Sequence, residues 1–150
     1  MHSSLPETIR TLREETGLPV KLDTNGLYPE MLAALLEEKL IDAVAMDVKG
    51  PMESYSLLAG VRVDTNRIRR SMDLLTRSGA EVLFRTTYVP DLMTERDLLE
   101  MRLMMQDRGR WVVQLFRPGV TLAKELRQGR KPDPDRLRAL LPGVEIRGRE

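Results

Sequence analysis

The stretch Ile41–Lys49, "IDAVAMDVK", has a continuous apolar centre instead of an alternation of apolar and polar residues. This pattern is typical of a strand that is covered on both faces, as in parallel sheets. Other strand-like stretches are separated from it by amphipathic helical patterns. They lie at 19–24, 80–90, 110–119 and 143–148. The alternation of strands and helices predicts right-handed βαβ units and an α/β fold with a parallel sheet.

Capping and stop signals indicate where the helices begin and end. Ser4 and Glu7 have the spacing of a capping box, as do Thr94 and Asp97, so helices should run from these positions to Thr16 and Arg108. Further signals of the same kind predict the remaining helices. These are 29–39, 52–59, a helix through Ile68, Met72 and Leu75 that ends at Gly79, 120–128, and a helix from Asp133 or Asp135 to Leu141.

The number of strands limits the architecture. Four to five strands are too few for a complete eight-stranded barrel, so we expect an open sheet or an incomplete parallel (β/α) barrel. The 150 residues show no linker, internal repeat or low-complexity tract, and 1–150 is therefore predicted to form a single domain.

The composition excludes several classes of function. The chain has no cysteine and one histidine, His2, so disulfides, a thiol nucleophile, thiolate-held metals and histidine metal sites are not expected. A net charge of +1 and six aromatic residues give no reason to expect nucleic acid as a partner. No apolar stretch approaches the roughly 20 residues that cross a membrane, and "MHSSLPETIR" lacks a signal-peptide core. We therefore expect a cytoplasmic protein without a membrane partner.

Polar residues follow the predicted strands at their carboxyl ends, where parallel α/β proteins bind ligands. A lysine and an arginine there could hold a carboxylate or phosphate, and an aspartate could bind ribose hydroxyls. Side chains two apart on a strand point the same way, which pairs Asp47 with Lys49 and Arg85 with Thr87. Capping of neighbouring helices and mutual pairing are the structural alternatives. The residues are Asp23, Thr24 and Asn25; Asp47 and Lys49; Arg85, Thr86 and Thr87; and Gln114, Phe116 and Arg117.

Other catalytic arrangements are missing from the sequence. There is no glycine-rich dinucleotide loop, no P-loop and no nucleophile elbow with a base histidine. Asp23 and Asp47 could form a carboxylate pair, but Lys49 nearby would keep both ionised. The arrangement of strand ends therefore predicts a small polar ligand and leaves the reaction open.

Four segments, in this order and spacing, resemble the later strands of radical S-adenosylmethionine (SAM) enzymes. The resemblance is closest to the activating enzymes of anaerobic ribonucleoside-triphosphate reductase and pyruvate formate-lyase, and it covers about residues 5–125. The segments are "KLDTNG" at 21–26, "VAMDVKGP" at 44–51, "FRTTYVP" at 84–90 and "VVQLFRPG" at 112–119.

The resemblance implies a partial (β/α)6 barrel and a glycyl-radical activating chemistry. In the family, a Cys-x3-Cys-x2-Cys loop holds a [4Fe-4S] cluster, which cleaves SAM to a 5′-deoxyadenosyl radical that abstracts hydrogen from a glycine of the partner reductase. The matching positions of this chain are implied to bind SAM, with Lys49 at its carboxylate and Gln114 and Phe116 near ribose and adenine. These positions are Thr24, Asn25, Asp47, Lys49, Arg85, Thr87, Gln114 and Phe116.

Two parts of the family pattern are missing: the cysteine loop and the Gly-Gly-Glu-Pro segment of the second family strand. We therefore expect a truncated barrel without the first two family strands, weakened SAM binding, no cluster ligands and no catalysis by this chain alone. A true truncation, a mistaken start and a split gene are the alternatives. The first strand should form an open edge that pairs in an oligomer, with a missing N-terminal half, or with a glycyl radical enzyme. A non-catalytic SAM-binding or interaction module and a nonfunctional truncation product are the other readings.

Overall fold

The computed structural model describes residues 5–120 and 124–148. Its strands form one parallel sheet in the order β1-β2-β3-β4-β5, which is an open sheet and not a closed barrel. The predicted α/β fold is therefore confirmed. The strands are β1 (Lys21–Thr24), β2 (Ala43–Asp47), β3 (Glu81–Tyr88), β4 (Arg110–Leu115) and β5 (Glu145–Arg147). The helices are α1 (Leu5–Thr16), α2 (Pro29–Glu37), α3 (Tyr55–Ala59), α4 (Thr65–Thr76), α5 (Glu95–Met105) and α6 (Pro134–Leu140).

The chain divides into two compact units. The first comprises the described residues up to Val48 together with Asp64–Phe84, and the second comprises Lys49–Val63 together with the described residues from Arg85 onward. The first unit contains α1, β1, α2, β2, α4 and the start of β3, and the second contains the other elements and the end of β3.

The core of the first unit forms where α2 packs against α4 beside the two parallel strands β1 and β2. Leu35 of α2, Ile68 of α4 and Met46 of β2 are completely buried there. The apolar positions of both helices recur at helical spacing, so each helix turns one apolar face to this core. Arg13 of α1 donates hydrogen bonds to the Asp42 carboxylate and to the Leu40 carbonyl oxygen, and so fixes α1 at the start of β2.

The core of the second unit lies between α5, α6 and strands β4 and β5. Leu98, Met101, Val112 and Leu141 have no exposed surface. The predicted capping box is confirmed at the start of α5, where the Thr94 hydroxyl accepts from the Asp97 N–H and the Asp97 carboxylate accepts from the Thr94 N–H. The second predicted cap is also present, with Asp133 accepting from two backbone N–H groups of α6.

Several predicted element boundaries were too wide. β2 ends at Asp47, so Lys49 lies outside the strand and the expectation that it shares a face with Asp47 by alternation does not apply. β4 ends at Leu115, one residue before Phe116. The short helix predicted at 120–128 is present only as a 3-10 helix at Lys124–Leu126, which follows another 3-10 helix at Pro118–Val120, while 121–123 lie outside the described residues. Ser4, the proposed cap of α1, also lies outside them.

No helix in the described part of the chain combines the length and apolar character needed to cross a bilayer.

Candidate functional site

A cavity of about 500 Å³ in the second unit is lined by three of the residues that the resemblance implies for SAM, Thr87, Gln114 and Phe116. Residues from the end of β4 and from β5 complete its wall. They are Leu115, Arg117, Arg147 and Gly148. The second unit therefore gathers hydroxyl, amide, aromatic and guanidinium groups at the carboxyl ends of its strands.

A buried hydrogen bond shows why Thr87 and Gln114 share this side of the sheet. The Trp111 Nε1–H donates to Thr86 Oγ1 at 3.0 Å, so Trp111 and Thr86 lie on one face of the β3–β4 pair. Because neighbouring side chains on a strand alternate, Thr87 and Gln114 point to the opposite face. The burial follows the same alternation, with Thr86 buried and Thr87 exposed.

Phe116 is the most buried of the predicted residues in the lining of the cavity. Its N–H donates to the Tyr88 carbonyl oxygen at 3.3 Å, which holds the chain beside β3 after β4 has ended. Only 9% of Phe116 is exposed, so its ring forms an apolar wall of the cavity. Phe116 therefore lines the same cavity as Gln114, as predicted, although Phe116 lies just after the end of β4.

Lys49 and Arg85 belong to the second unit but do not line this cavity. Both are half-buried, and both interact with other groups of the protein. Arg85 precedes Thr87 by two residues on β3, so the two side chains lie on the same face, as the sequence predicted. The structure therefore gathers Thr87, Gln114 and Phe116, with Arg85 on their face and Lys49 in the loop after β2.

The three predicted site residues of the first unit do not share one orientation. Thr24 pairs in register with Met46, so it lies on the face opposite to that of Asp47. Its hydroxyl accepts from the Gly26 N–H at 3.1 Å, and the Asn25 side-chain oxygen accepts from the Leu27 N–H at 3.1 Å. Thr24 and Asn25 thus shape the turn after β1.

Arg147 and Gly148 are cavity residues that were not predicted from the sequence. The register pairs Gln114 with Arg147, so both side chains lie on the same face of the β4–β5 pair. A Cβ atom at position 148 would lie 2.7 Å from the Leu115 Cβ, which makes glycine necessary for this close approach. The terminal strand itself was recognisable in the sequence, but its register was not.

Glu145 fixes the orientation of Arg147. The Arg147 Nε–H donates to Glu145 Oε1 at 2.5 Å, and Arg110 donates to Glu145 Oε2 at 2.7 Å. These hydrogen bonds, with that of Arg147 first, hold the pKa of the Glu145 carboxyl below its usual range. The carboxylate therefore remains ionised and anchors one side of the Arg147 guanidinium.

The larger cavities of both units lack the predicted residues. One of about 940 Å³ in the first unit lies among residues of α2, α4 and the starts of β2 and β3, and includes Leu36, Ile41 and Leu74. Another of about 950 Å³ in the second unit includes Leu99, Leu103 and other residues near the starts of β4 and β5. Volume alone therefore does not identify the site.

The chain does not fit an iron–sulfur cluster. It has no cysteine, and no group of three or more His, Cys, Asp or Glu in the described ranges is placed to hold a metal ion. The donor set at the cavity fits a nucleoside better, because the Gln114 amide both donates and accepts, the Thr87 hydroxyl does the same, and Phe116 offers an apolar surface.

The chain is similar in sequence to a protein from Methanocaldococcus jannaschii that is provisionally named a glycyl-radical enzyme activating enzyme. The two are 35% identical over 131 residues, which are 85% of this chain and 55% of the relative. The chain therefore spans about half the length of the curated relative that it matches. No protein-family profile matches the chain.

The fold has a counterpart among solved structures. A radical SAM methyltransferase from Sphaerobacter thermophilus superposes with a TM-score of 0.68 and 16% identity, over 94% of this chain and 44% of that one. The chain therefore shares the fold of that methyltransferase over the part that superposes.

Proposed function

We propose that this chain is a SAM-binding portion of a radical SAM activating enzyme for a glycyl radical protein. The observation that carries the proposal is the 35% identity to the activating-enzyme relative over 85% of the chain. The cavity lined by Thr87, Gln114 and Phe116 supports it, because the strand ends predicted a small polar ligand there and the family resemblance implies SAM at these three residues. Anaerobic ribonucleotide reductase is the proposed target, and the cytoplasm is the proposed compartment.

In this proposal, different residues of the second unit bind different parts of SAM. Gln114 and Thr87 hydrogen-bond the ribose and adenine, and the Phe116 ring provides the apolar surface for the base. The Lys49 ammonium and the Arg85 guanidinium bind and orient the methionine carboxylate by charge-assisted hydrogen bonds. Thr24, Asn25 and Asp47 of the first unit stay predictions for SAM binding. Thr24 forms the turn after β1 and lies on the opposite face of the sheet from Asp47.

The missing part of the chemistry is the electron source. When a [4Fe-4S] cluster is bound in this family, it supplies the electron that cleaves SAM. This chain provides no thiolate to hold one. We therefore infer that the chain alone is catalytically incompetent and that a cysteine-bearing polypeptide completes it.

The edge of the sheet is the proposed place for that partner. β1 is the end strand of the described sheet and pairs with β2 alone. An edge of this kind accepts an added strand. Lys21 and Asp23, which form a salt bridge of 3.1 Å on β1, put charged side chains on this edge, a feature that discourages pairing between copies, so we do not retain the oligomer expected from the sequence. The isolated chain should therefore sediment as a monomer at micromolar concentration, and a concentration-dependent dimer would contradict this assignment.

The test of cofactor binding is calorimetric titration of the isolated chain with SAM. We expect saturable binding that Gln114→Ala weakens about tenfold, the cost of one to two hydrogen bonds. The matched control is Gln106→Ala, since Gln106 is exposed and lies outside the cavity. No binding by the wild-type chain, or equal effects of the two substitutions, would overturn the proposal.

The test of incompetence is anaerobic reconstitution with iron and sulfide. The isolated chain should incorporate no [4Fe-4S] cluster and cleave no SAM. Co-expression with a polypeptide that carries the Cys-x3-Cys-x2-Cys loop should restore cluster binding and cleavage. Cluster incorporation by the isolated chain would contradict the inference.

A further inference from the structure

The side chains that line the cavity at the ends of β4 and β5 carry more positive than negative charge, and Glu145, which pairs with Arg147, lies outside this lining and is shared with Arg110. The lining residues include two arginines, Arg117 and Arg147, and no carboxylate. The lining of the polar cavity beside Tyr88 is balanced instead, because Arg130, Lys131 and Arg136 are matched there by Asp91, Glu95 and Asp133. The cavity that contains Gln114 is therefore the one suited to an anion.

Arg147 is held so that part of its guanidinium remains available. Glu145 engages its Nε, which leaves the two terminal nitrogens as the atoms able to donate to a ligand in the cavity. Glu145 is also shared with Arg110, so the three side chains carry a net positive charge. The pairing in register with Gln114 places Arg147 directly beside a residue that can recognise a planar polar group.

The second arginine lies on the adjoining part of the wall. Arg117 is exposed in the loop after Phe116, and among the described residues it has no recorded ion pair. Gly148 permits the close packing of the end of β5 against Leu115, which sets Arg147 in the cavity wall. Two guanidinium groups, an amide and a hydroxyl thus surround a space of about 500 Å³.

We propose that Arg147 and Arg117 form an oxyanion subsite in this cavity, next to Gln114, and that it binds nucleoside phosphates. A phosphate accepts charge-assisted hydrogen bonds from guanidinium groups, while the Gln114 amide pairs with the donor and acceptor edge of a purine. SAM has no phosphate, so the subsite adds a second class of ligand. This inference rests on the proposed function in one respect, which is that Gln114 is also assigned there to the ribose and adenine of SAM. We therefore expect nucleoside phosphates to compete with SAM for this cavity.

The experiment compares adenosine and adenosine 5′-monophosphate, which differ only in the phosphate. Calorimetric titration should show about tenfold tighter binding of the monophosphate. Arg147→Gln should reduce this ratio to near one, and Arg117→Gln, at an exposed loop position, should reduce it without affecting the fold. Arg138→Gln is the matched control, because Arg138 is exposed on α6 and pairs with Asp135.

Each result has a distinct meaning. Equal affinities for the two ligands, absence of binding by both, or a ratio that survives both arginine substitutions would overturn the subsite. Binding of the monophosphate that depends on Arg147, together with no binding of SAM, would support the subsite and count against the proposed function. Displacement of SAM by the monophosphate would support both.

Discussion

The indole of Trp111 and the hydroxyl of Thr86 form a hydrogen bond of 3.0 Å in the interior of the second unit. Trp111 is 7% exposed and Thr86 is 1% exposed, so the bond lies between two buried residues. The bond fixes one face of the β3–β4 pair as the interior face. Thr87 and Gln114 consequently point to the other face, where the candidate cavity lies.

Replacement of Thr86 should therefore destabilise the protein. Thr86→Val removes the hydroxyl oxygen that accepts from the Trp111 Nε1–H. The loss of this buried hydrogen bond should lower the free energy of unfolding by about 1–3 kcal/mol. Thr87→Val, at the next position on the same strand, should change it by less than about 0.5 kcal/mol because Thr87 is exposed. Urea unfolding of both variants measures the difference, and equal stabilities would show that the hydrogen bond does not organise the strand pair.

The turn after β1 should be sensitive to a single methyl group. Gly26 has φ +75°, and a Cβ there would lie 2.1 Å from the Met46 Cε. Gly60 has φ +70° and open space around it, so Gly60→Ala measures the backbone strain alone, about 1 kcal/mol. Gly26→Ala should cost at least about 1 kcal/mol more in thermal or urea unfolding, because Met46 is completely buried. Equal costs would mean that the turn adapts freely.

Ser71 should tie α4 to the same turn. Its hydroxyl donates to the Gly26 carbonyl oxygen at 2.7 Å, and the residue is completely buried. Ser71→Ala should lower the free energy of unfolding by about 1–2 kcal/mol. Ser78→Ala is the control, since Ser78 bonds only to Leu75 within its own turn. If Ser78→Ala is as destabilising as Ser71→Ala, the long-range bond has no special role.

Acid should weaken the attachment of α1. The side chain of Arg13 and the Val20 N–H both donate to Asp42, and they hold the pKa of this carboxyl below its usual value. A depressed pKa in the folded state means that the stabilisation is present above the unfolded pKa, about 3.9, and is lost as the pH falls through the folded value. Asp42→Asn should therefore flatten the acid side of the stability profile below about pH 4. An unchanged profile would show that Asp42 does not contribute to acid unfolding.

Local signals in the sequence predicted most elements correctly. The apolar run in Ile41–Lys49 indicated a parallel strand, and the Thr94–Asp97 spacing indicated the start of α5; both depend on neighbours along the chain. The ends of strands were harder to predict than the starts of helices. A strand ends where its hydrogen bonds to the neighbouring strand stop, and the neighbouring strand is distant in sequence. Lys49 was therefore assigned to β2 although the strand ends at Asp47.

The candidate site shows the same division. Gln114 and Phe116 were predicted from the pattern of one strand, and they line one cavity with Thr87. The orientation of Thr24 was not predictable, because only its register against Met46 fixes its face. Arg147 was missed for the same reason, since its position beside Gln114 follows from the pairing of β4 with β5. A register depends on contacts between strands that are distant in sequence, so it could not be read from the residues of either strand by itself.

The most direct test of the SAM assignment is a two-dimensional 1H–15N NMR titration of the isolated chain with SAM. We expect saturable chemical-shift changes, and the largest should be at the backbone amides of Lys49, Arg85, Thr87, Gln114 and Phe116. Shifts concentrated instead around Leu36, Ile41 and Leu74 in the first unit, or a spectrum unchanged at saturating SAM, would contradict it.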